Sequence, residues 1–479
     1  MSVLFHLEPK QVFGYFEQIS GIHRGSGDRA AIADFCVRFA DEQGLRFQRD
    51  EAHNVVIFKP ATPGYEAAPP VILQGHLDMV CQKTPERDID FLTQGLELYT
   101  DGDYVKARGT TLGADNGIAV AMVLAILAAT DIPHPALEAV FTADEEVGML
   151  GAVALDTSPL QGRRMINLDS EEMDCVTVSC AGGSDLTAAL PLPREAAEGT
   201  EVTVTLKGLR GGHSGICIHE GRSNANKLAG ELLTALYSQL PFRLLSADGG
   251  DKGNAIPPAC TLRLCVADAK AFCTLAEFYL NARKEKLTAE PDFAFTVTAG
   301  ETGTHAAATL AATKRFILCL HNVMDGVLTM SEAIPGLVET SLNLGILKTD
   351  GEQAIFNHAL RSNRKAALTN MEAELTAYYC RLDAAVTTGG HYPPWEFNEQ
   401  SVMLPLYQEA YREHFGQEPR VEAIHAGLEC GVFADKLPGF DAIAIGPQIH
   451  DAHTVNERLS ISSTAEIFAL VCKILEKCR

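Results

Sequence analysis

At 479 residues the chain is long enough for two or three domains, and 46% hydrophobic with 21% charged residues is a globular composition. The net charge of −23 argues against a nucleic-acid or anionic-membrane surface, because both need clustered cations. The N-terminus Met-Ser-Val-Leu-Phe-His-Leu-Glu lacks the basic and apolar regions of a secretory leader. The longest apolar run, residues 118–129, is too short to cross a bilayer. Thirteen cysteines without C-x-x-C spacing fit reduced thiols in a cytoplasm better than a disulfide framework.

Helical apolar spacing appears over residues 9–19 (Val12, Phe13, Phe16, Ile19) and 28–43 (Ala31, Phe35, Val37, Phe39). Gly25-Ser26-Gly27-Asp28 between them lacks the G-K-[ST] ending of a phosphate loop and reads as a turn with an N-cap. Strands are expected near 45–49 and 54–59, then a proline-rich surface loop over 60–70. Val71-Ile-Leu73 is short, apolar and partly β-branched, so it predicts a buried strand that ends at Gly75. His76-Leu-Asp78 follows. On an extended backbone residues two apart point the same way, so one of the pair can bind a metal while the other holds the imidazole or faces the metal.

Asp101-Gly102 is a hairpin signal. The segment Gly109-Thr-Thr-Leu-Gly-Ala-Asp115-Asn116-Gly117 opens a helix over 118–129 that is apolar nearly all round and therefore buried. A strand over 136–142 runs into Ala143-Asp-Glu145-Glu146-Val-Gly148. Another over 165–168 ends in Asp169-Ser-Glu-Glu172.

Residues 184–392 differ in texture. Residues 201–206 alternate as a half-buried strand, and a glycine-rich loop over 208–215 carries His213. A helix (222–239), two strands (242–247, 259–266), a helix (270–286) and a strand (293–298) complete a β-α-β-β-α-β unit. A helix (309–323), two strands (338–347, 354–361) and a helix (366–386) form a second, similar half, and Gly389-Gly-His-Tyr-Pro-Pro-Trp395 reads as a hinge. The first texture returns with a buried strand over 442–445, a loop carrying His450, Asp451 and His453, and a last helix opened by Ser463-Thr-Ala-Glu466 as a capping box. The expected fold is α/β: one domain with a central mixed sheet flanked by helices (1–183 and 393–479), interrupted by an inserted α+β lid domain of two halves (184–392).

In open α/β sheets ligands gather at the carboxyl ends of strands, where His76, Glu145-Glu146 and Asp169 all lie, with Asp115 opening a helix and His453 after the last strand. Two histidines and three carboxylates suit borderline cations: zinc, cobalt or manganese. A spare carboxylate beside a ligand can act as base on an activated water.

The order H-x-D, G-A-D-N-G, D-E-E-x-G, N-L-D-S-E and a C-terminal His resembles the cocatalytic zinc metallopeptidases that include aminoacylase, glutamate carboxypeptidase, peptidase T and carnosinase. Within that family the texture is most similar to the aminoacyl-histidine dipeptidases. It is carried by Gln74-Gly-His-Leu-Asp-Met-Val80, Asn167-Leu-Asp-Ser-Glu171, Gly211-Gly-His-Ser-Gly215, Gly221-Arg-Ser-Asn-Ala-Asn226, Val338-Glu-Thr-Ser-Leu-Asn-Leu-Gly345 and His425-Ala-Gly-Leu-Glu-Cys-Gly431.

The resemblance implies that His76 and Asp169 hold one metal, Glu146 and His453 the other, and that Asp115 bridges them. Asp78 would fix the His76 imidazole, and Glu145 would be the general base and later the acid. It implies a cis Asp115–Asn116 peptide, His213 as oxyanion stabiliser, and Asn254 and Arg361 as substrate contacts, with Arg364 a rival to Arg361 and His450 a rival to His453. The implied activity is metal-dependent hydrolysis of unblocked dipeptides, preferentially Xaa-His including β-Ala-His, by a water activated by two metals, zinc before cobalt or manganese. The partners implied are a small dipeptide and, compatibly, a second copy of the chain, with no nucleic acid and no membrane. A broader dipeptidase, an N-acyl amino acid deacylase and a non-catalytic metal-binding relative are the alternatives.

Overall fold

The computed structural model describes residues 3–479. The chain forms two compact units. One runs to Cys180 and resumes over Phe397–Ala423 and Leu428–Arg479; the other is Ala181–Glu396 with Ile424–Gly427. No helix among the described residues is long and apolar enough to cross a membrane.

The first unit is built on an eight-stranded mixed sheet. Its order is Arg46–Arg49, Val55–Lys59, Leu137–Thr142, Val71–His76, Arg164–Asn167, Asp441–Ala444, Cys175–Cys180 and Arg420–Ile424. The four strands from Leu137–Thr142 to Asp441–Ala444 are parallel, and those starting at Leu137, Val71 and Asp441 are buried along their whole length, as apolar runs covered on both faces must be. Their carboxyl ends are in step: His76 is the register partner of Thr142, and Gln74 of Asn167. The helix Ala114–Ala128 is buried from Asn116 to Leu127 and packs against Lys10–Ser20.

The second unit is one sheet made of two copies of the same topology. In the first copy the strands in chain order are Arg194–Lys207, Phe242–Gly249, Cys260–Val266 and Ala294–Ala308, with helices Ala225–Tyr237 and Ala269–Lys284. In the second they are Gly182–Pro191, Val338–Asp350, Gln353–Ser362 and Ala385–Tyr392, with helices Leu310–Asn322 and Lys365–Cys380. Across the sheet the first copy reads fourth, first, third, second, and the other reads second, third, first, fourth. The halves therefore face one another as mirror-ordered repeats, joined where Asp248 pairs with Lys348 and Gly249 with Leu347. One large apolar core lies under both copies, from Leu186 and Val202 through Phe272 and Phe316 to Tyr379, with smaller clusters around Leu245 and around Ile256.

Several local expectations are corrected. The last helix spans Ile461–Lys477 with Ser460 as N-cap, its side chain accepting from the Ser463 N–H at 3.2 Å. The Ser463 and Thr464 hydroxyls donate back to the Ser460 carbonyl instead of opening the helix, and Glu466 pairs with His414. The helix after the Gly25–Asp28 turn is capped by Arg29 without a side-chain bond, because Asp28 is engaged by His23. The glycine pair Gly389-Gly390 is not a hinge. The preceding helix ends at Cys380, and both glycines lie in the edge strand Ala385–Tyr392 beside Gly182–Pro191. The units divide at 180/181 and 396/397, not at 183/184 and 392/393, and four residues around His425 return to the second unit. All thirteen cysteines are free thiols.

Candidate metal centre and active site

Three parallel strands deliver His76, the Asp144–Glu146 loop and Asp169 to one end of the sheet. The fit at Gly75 is so close that a Cβ there would lie 2.5 Å from Asn116 Oδ1 and 2.9 Å from Ala119 Cβ. Glycine lets the His76 strand end against the Asp115 helix. The Asp115–Asn116 peptide is cis, as the resemblance implies. Asn116 Oδ1 accepts from the His76 N–H at 3.2 Å, and its Nδ2 donates to the Leu168 carbonyl at 2.9 Å, tying together the backbones beside three of the candidate ligands.

Three three-donor groups meet here, His76–Asp115–Asp169, Asp115–Glu146–His453 and His76–Glu145–Glu146, and Asp115 belongs to the first two. His76 Nε2 lies 3.0 Å from Asp115 Oδ1 and 3.6 Å from Asp169 Oδ1. His453 Nε2 lies 3.0 Å from Asp115 Oδ2 and 2.9 Å from Glu146 Oε1. His453 is held at φ 63°, a left-handed conformation sparsely used by residues with a Cβ and concentrated at functional loops. Its rival His450 lies in a short strand paired with Arg458 and sets its ring against Tyr104, so the structure places His453 at the site.

The chemistry of the donor set fits cations. His76 Nδ1 donates to the Asp78 carbonyl at 3.1 Å, which leaves the Nε2 lone pair facing two carboxylate oxygens. Three electron-rich atoms so arranged require a positive charge among them, whether proton or metal. Burial alone would lower His76, yet Asp169, Asp115 and Asp78 raise it well above the usual imidazole range. Bonds to Asp115 and then Glu146 push His453 up to about 11. Asp115 sits below the usual carboxylate range, because the two imidazoles outweigh its burial. Burial raises Asp169, Glu146 and, most strongly, Glu145. Two imidazoles cannot neutralise Asp115, Glu145, Glu146 and Asp169 together.

Asp78 does more than the sequence suggests. Its carboxylate lies 3.4 Å from His76 Nδ1, but its hydrogen bonds come from the Glu145 N–H at 2.9 Å, the Glu146 N–H at 3.3 Å and Ser26 Oγ at 2.8 Å. It therefore fixes the loop carrying Glu145 as well as the imidazole. The Gly-Ser-Gly-Asp turn also supports this loop, since the Gly27 N–H donates to Asp144 Oδ1 at 2.6 Å.

Sequence reasoning missed two buried charges behind the centre. Glu457, four residues after His453, accepts the Leu112, Gly113 and Ala114 N–H groups at 2.8, 2.9 and 2.8 Å and that of Asp115 at 3.4 Å. Arg24 donates to the carbonyls of Leu77, Asp78 and Gly113. The signal for both is burial against backbone, which a linear motif does not carry.

Within the second unit, Arg361 donates to Tyr392 Oη at 2.8 Å and its Nη2 lies 3.5 Å from His213 Nε2. His213 Nδ1 accepts from the Gly215 and Ile216 N–H groups at 3.2 and 3.3 Å, while its Nε2 faces the Arg361 guanidinium. Burial, and then Arg361, lower its pKa. Arg364 is the N-cap of the helix Lys365–Cys380. Asn254 is exposed, and its carbonyl accepts from the Ser214 N–H at 2.9 Å.

The chain is similar to known proteins over its length. The cytosol non-specific dipeptidase of Escherichia coli K12 is 37% identical over 482 aligned positions, covering all of this chain and 99% of that protein. The crystal structure of aminoacylhistidine dipeptidase from Vibrio alginolyticus is 36% identical with a TM-score of 0.94, over 99% of this chain and 98% of that one. An aminopeptidase, PepT, from Bacillus cereus shares the fold at 15% identity and a TM-score of 0.57, over 98% of this chain and 99% of that one. Residues 72–477 match the peptidase family M20/M25/M40, and the chain belongs to it.

Proposed function

We propose that the chain is a metal-dependent dipeptidase that cleaves unblocked dipeptides and prefers histidine at the C-terminal position. The observation that carries the metal reading is the pair of three-donor groups sharing Asp115, more donors than one tetrahedral site with an open position can use. His76 and Asp169 would hold one divalent ion, Glu146 and His453 the other, with Asp115 between them; imidazole and carboxylate donors suit zinc first, then cobalt or manganese. Such ions supply the positive charge that lowers the pKa of a water and polarises the scissile carbonyl.

Glu145 acts as the general base. Burial makes its carboxyl more basic than usual, and Asp78 holds its backbone, so it is placed to take the proton from the water and return it to the leaving amine. His213, beside the Arg361 guanidinium, is the candidate group for stabilising a developing oxyanion. Arg361, steadied by Tyr392, is the candidate clamp for the substrate carboxylate, and Asn254 a candidate for the substrate carbonyl. We assign the chain to the cytoplasm, with a homodimer compatible.

A broader dipeptidase is favoured by one observation, the non-specific activity named for the E. coli relative. The test is a panel of β-Ala-His, Gly-His, Gly-Leu, N-acetyl-His and Gly-Gly-His, assayed with zinc, cobalt or manganese after chelation, alongside elemental analysis. Two metals per chain and cleavage of the dipeptides alone are expected. Equal turnover of N-acetyl-His or the tripeptide would overturn the dipeptidase reading, and Gly-Leu matching Gly-His would remove the histidine preference. Active protein with one tight metal would overturn the paired centre.

A further inference from the structure

A buried polar chain runs beneath the centre and ends on a carboxyl that none of the roles above uses. Glu429 opens the helix Glu429–Lys436 and is fully buried. Its Oε2 accepts from Thr142 Oγ1 at 2.7 Å and from Gln74 Nε2 at 2.5 Å. Gln74 Nε2 also donates to Thr142 Oγ1 at 3.2 Å. Gln74 Oε1 accepts from Asn167 Nδ2 at 2.5 Å, and Asn167 Oδ1 accepts from the Asp169 N–H at 3.2 Å. The chain thus crosses three parallel strands just below their ends. Gln74 is two residues before His76, Asn167 two before Asp169, and Thr142 three before Glu145.

The direction of this chain is fixed at both ends. A backbone N–H can only donate, so Asn167 must turn its oxygen to Asp169 and its NH2 to Gln74. Gln74 must then turn its oxygen to Asn167 and its NH2 outward, where only an acceptor satisfies it. Glu429 Oε2 at 2.5 Å and, at the longer distance of 3.2 Å, Thr142 Oγ1 are the acceptors there. An apolar side chain at 429 would leave the Gln74 amide and the Thr142 hydroxyl buried without that carboxylate, and the cheapest repair, rotating the Gln74 amide, would set NH2 against NH2 at Asn167. The other Glu429 oxygen has no hydrogen-bond partner among the described residues, so a glutamine at 429 can keep both bonds through one oxygen.

We propose that Glu429 is a positioning residue that sets the polarity of the Gln74–Asn167 amide chain and thereby aims Asp169 at the metal centre. The inference rests on the ligand assignment above. It differs from a general stabilising role because it assigns the effect to direction, which glutamine preserves and leucine destroys.

The test measures zinc affinity of the full-length apoprotein by chelator competition, a readout independent of turnover. Glu429→Leu should weaken the zinc site about 10- to 100-fold, the usual scale for removing an outer partner of a metal ligand. Glu429→Gln should bind zinc close to wild type. Asn167→Leu, which breaks the last link and leaves Glu429 in place, should match Glu429→Leu, and the double variant should be no worse than either single one. Wild-type affinity in Glu429→Leu overturns the proposal. So does a loss in Glu429→Gln as large as in leucine, or losses at 429 and 167 that simply add. Should Glu429→Leu fail to fold, wild-type zinc affinity in Asn167→Leu overturns it alone. Failure of the dipeptidase reading would show separately, as a zinc-binding wild-type protein that cleaves nothing in the panel.

Discussion

Removing the Glu457 carboxylate tests whether the Asp115 loop is held from behind. Its Oε2 takes the Leu112 and Gly113 amides and its Oε1 those of Ala114 and Asp115, three of the four at 2.8–2.9 Å. Glu457→Gln keeps the shape but retains one oxygen. With that oxygen on the Leu112–Gly113 pair, the new NH2 faces the Ala114 amide, donor against donor. One short charge-assisted bond is lost, worth roughly 1.5–3 kcal/mol, and a buried N–H is left unsatisfied. The buried cation of Arg24 also loses a countercharge. The expected local cost is about 2–3 kcal/mol, and Glu457→Ala should cost more, since three short bonds go. Because the chain has two units, a global melting curve is a poor probe. Amide exchange at Leu112, Gly113 and Ala114 is direct, and about 2 kcal/mol corresponds to a fall in protection of roughly 30-fold. Protection in Glu457→Gln within about 0.5 kcal/mol of wild type would refute the clamp, because that is the scale of an inconsequential surface change.

Glu145→Gln should keep its metals and lose roughly 10²- to 10⁴-fold in kcat, since an amide cannot accept the water proton; a variant retaining more than a tenth of wild-type kcat with metals in place would remove Glu145 as base. His358, buried against Tyr379 with its Nε2 2.6 Å from the phenol oxygen, is lowered to about 3 by burial and then by Lys227. Its folded pKa lies below the unfolded value near 6.5, so its contribution is complete above that pH and falls by about 1.4 kcal/mol per unit as pH drops toward 3. His358→Gln should flatten the loss of stability between pH 6 and 4 in denaturant titrations, and an unchanged slope would count against the assignment.

The candidate metal-holding groups are legible in the sequence because each follows a short apolar strand or opens a buried helix, and strand ends converge whatever the loop lengths between them. His453 could not be separated from His450 by pattern, because the choice depends on a two-residue strand pairing Ile449 with Leu459. The supports were invisible for a related reason. Gln74 meets Asn167 only because their strands are parallel in that register, and Glu457 meets Leu112 only after 345 residues of chain have returned. The Gly389-Gly390 misreading has the opposite cause: glycines that look like a break are tolerated in an edge strand, where one side needs no partner.

The return of residues 424–427 to the second unit has a consequence for taking the protein apart. Those four residues carry His425, whose Nε2 meets Ser341 Oγ at 2.7 Å and whose Nδ1 meets Asn363 Oδ1 at 3.1 Å. A fragment cut at 181 and 396 would leave this imidazole behind and deprive two buried polar side chains, Ser341 and Asn363, of it. Transplanting the second unit between relatives therefore requires two pieces of sequence, and a chimera that exchanges only the long one inherits a histidine matched to the wrong neighbours.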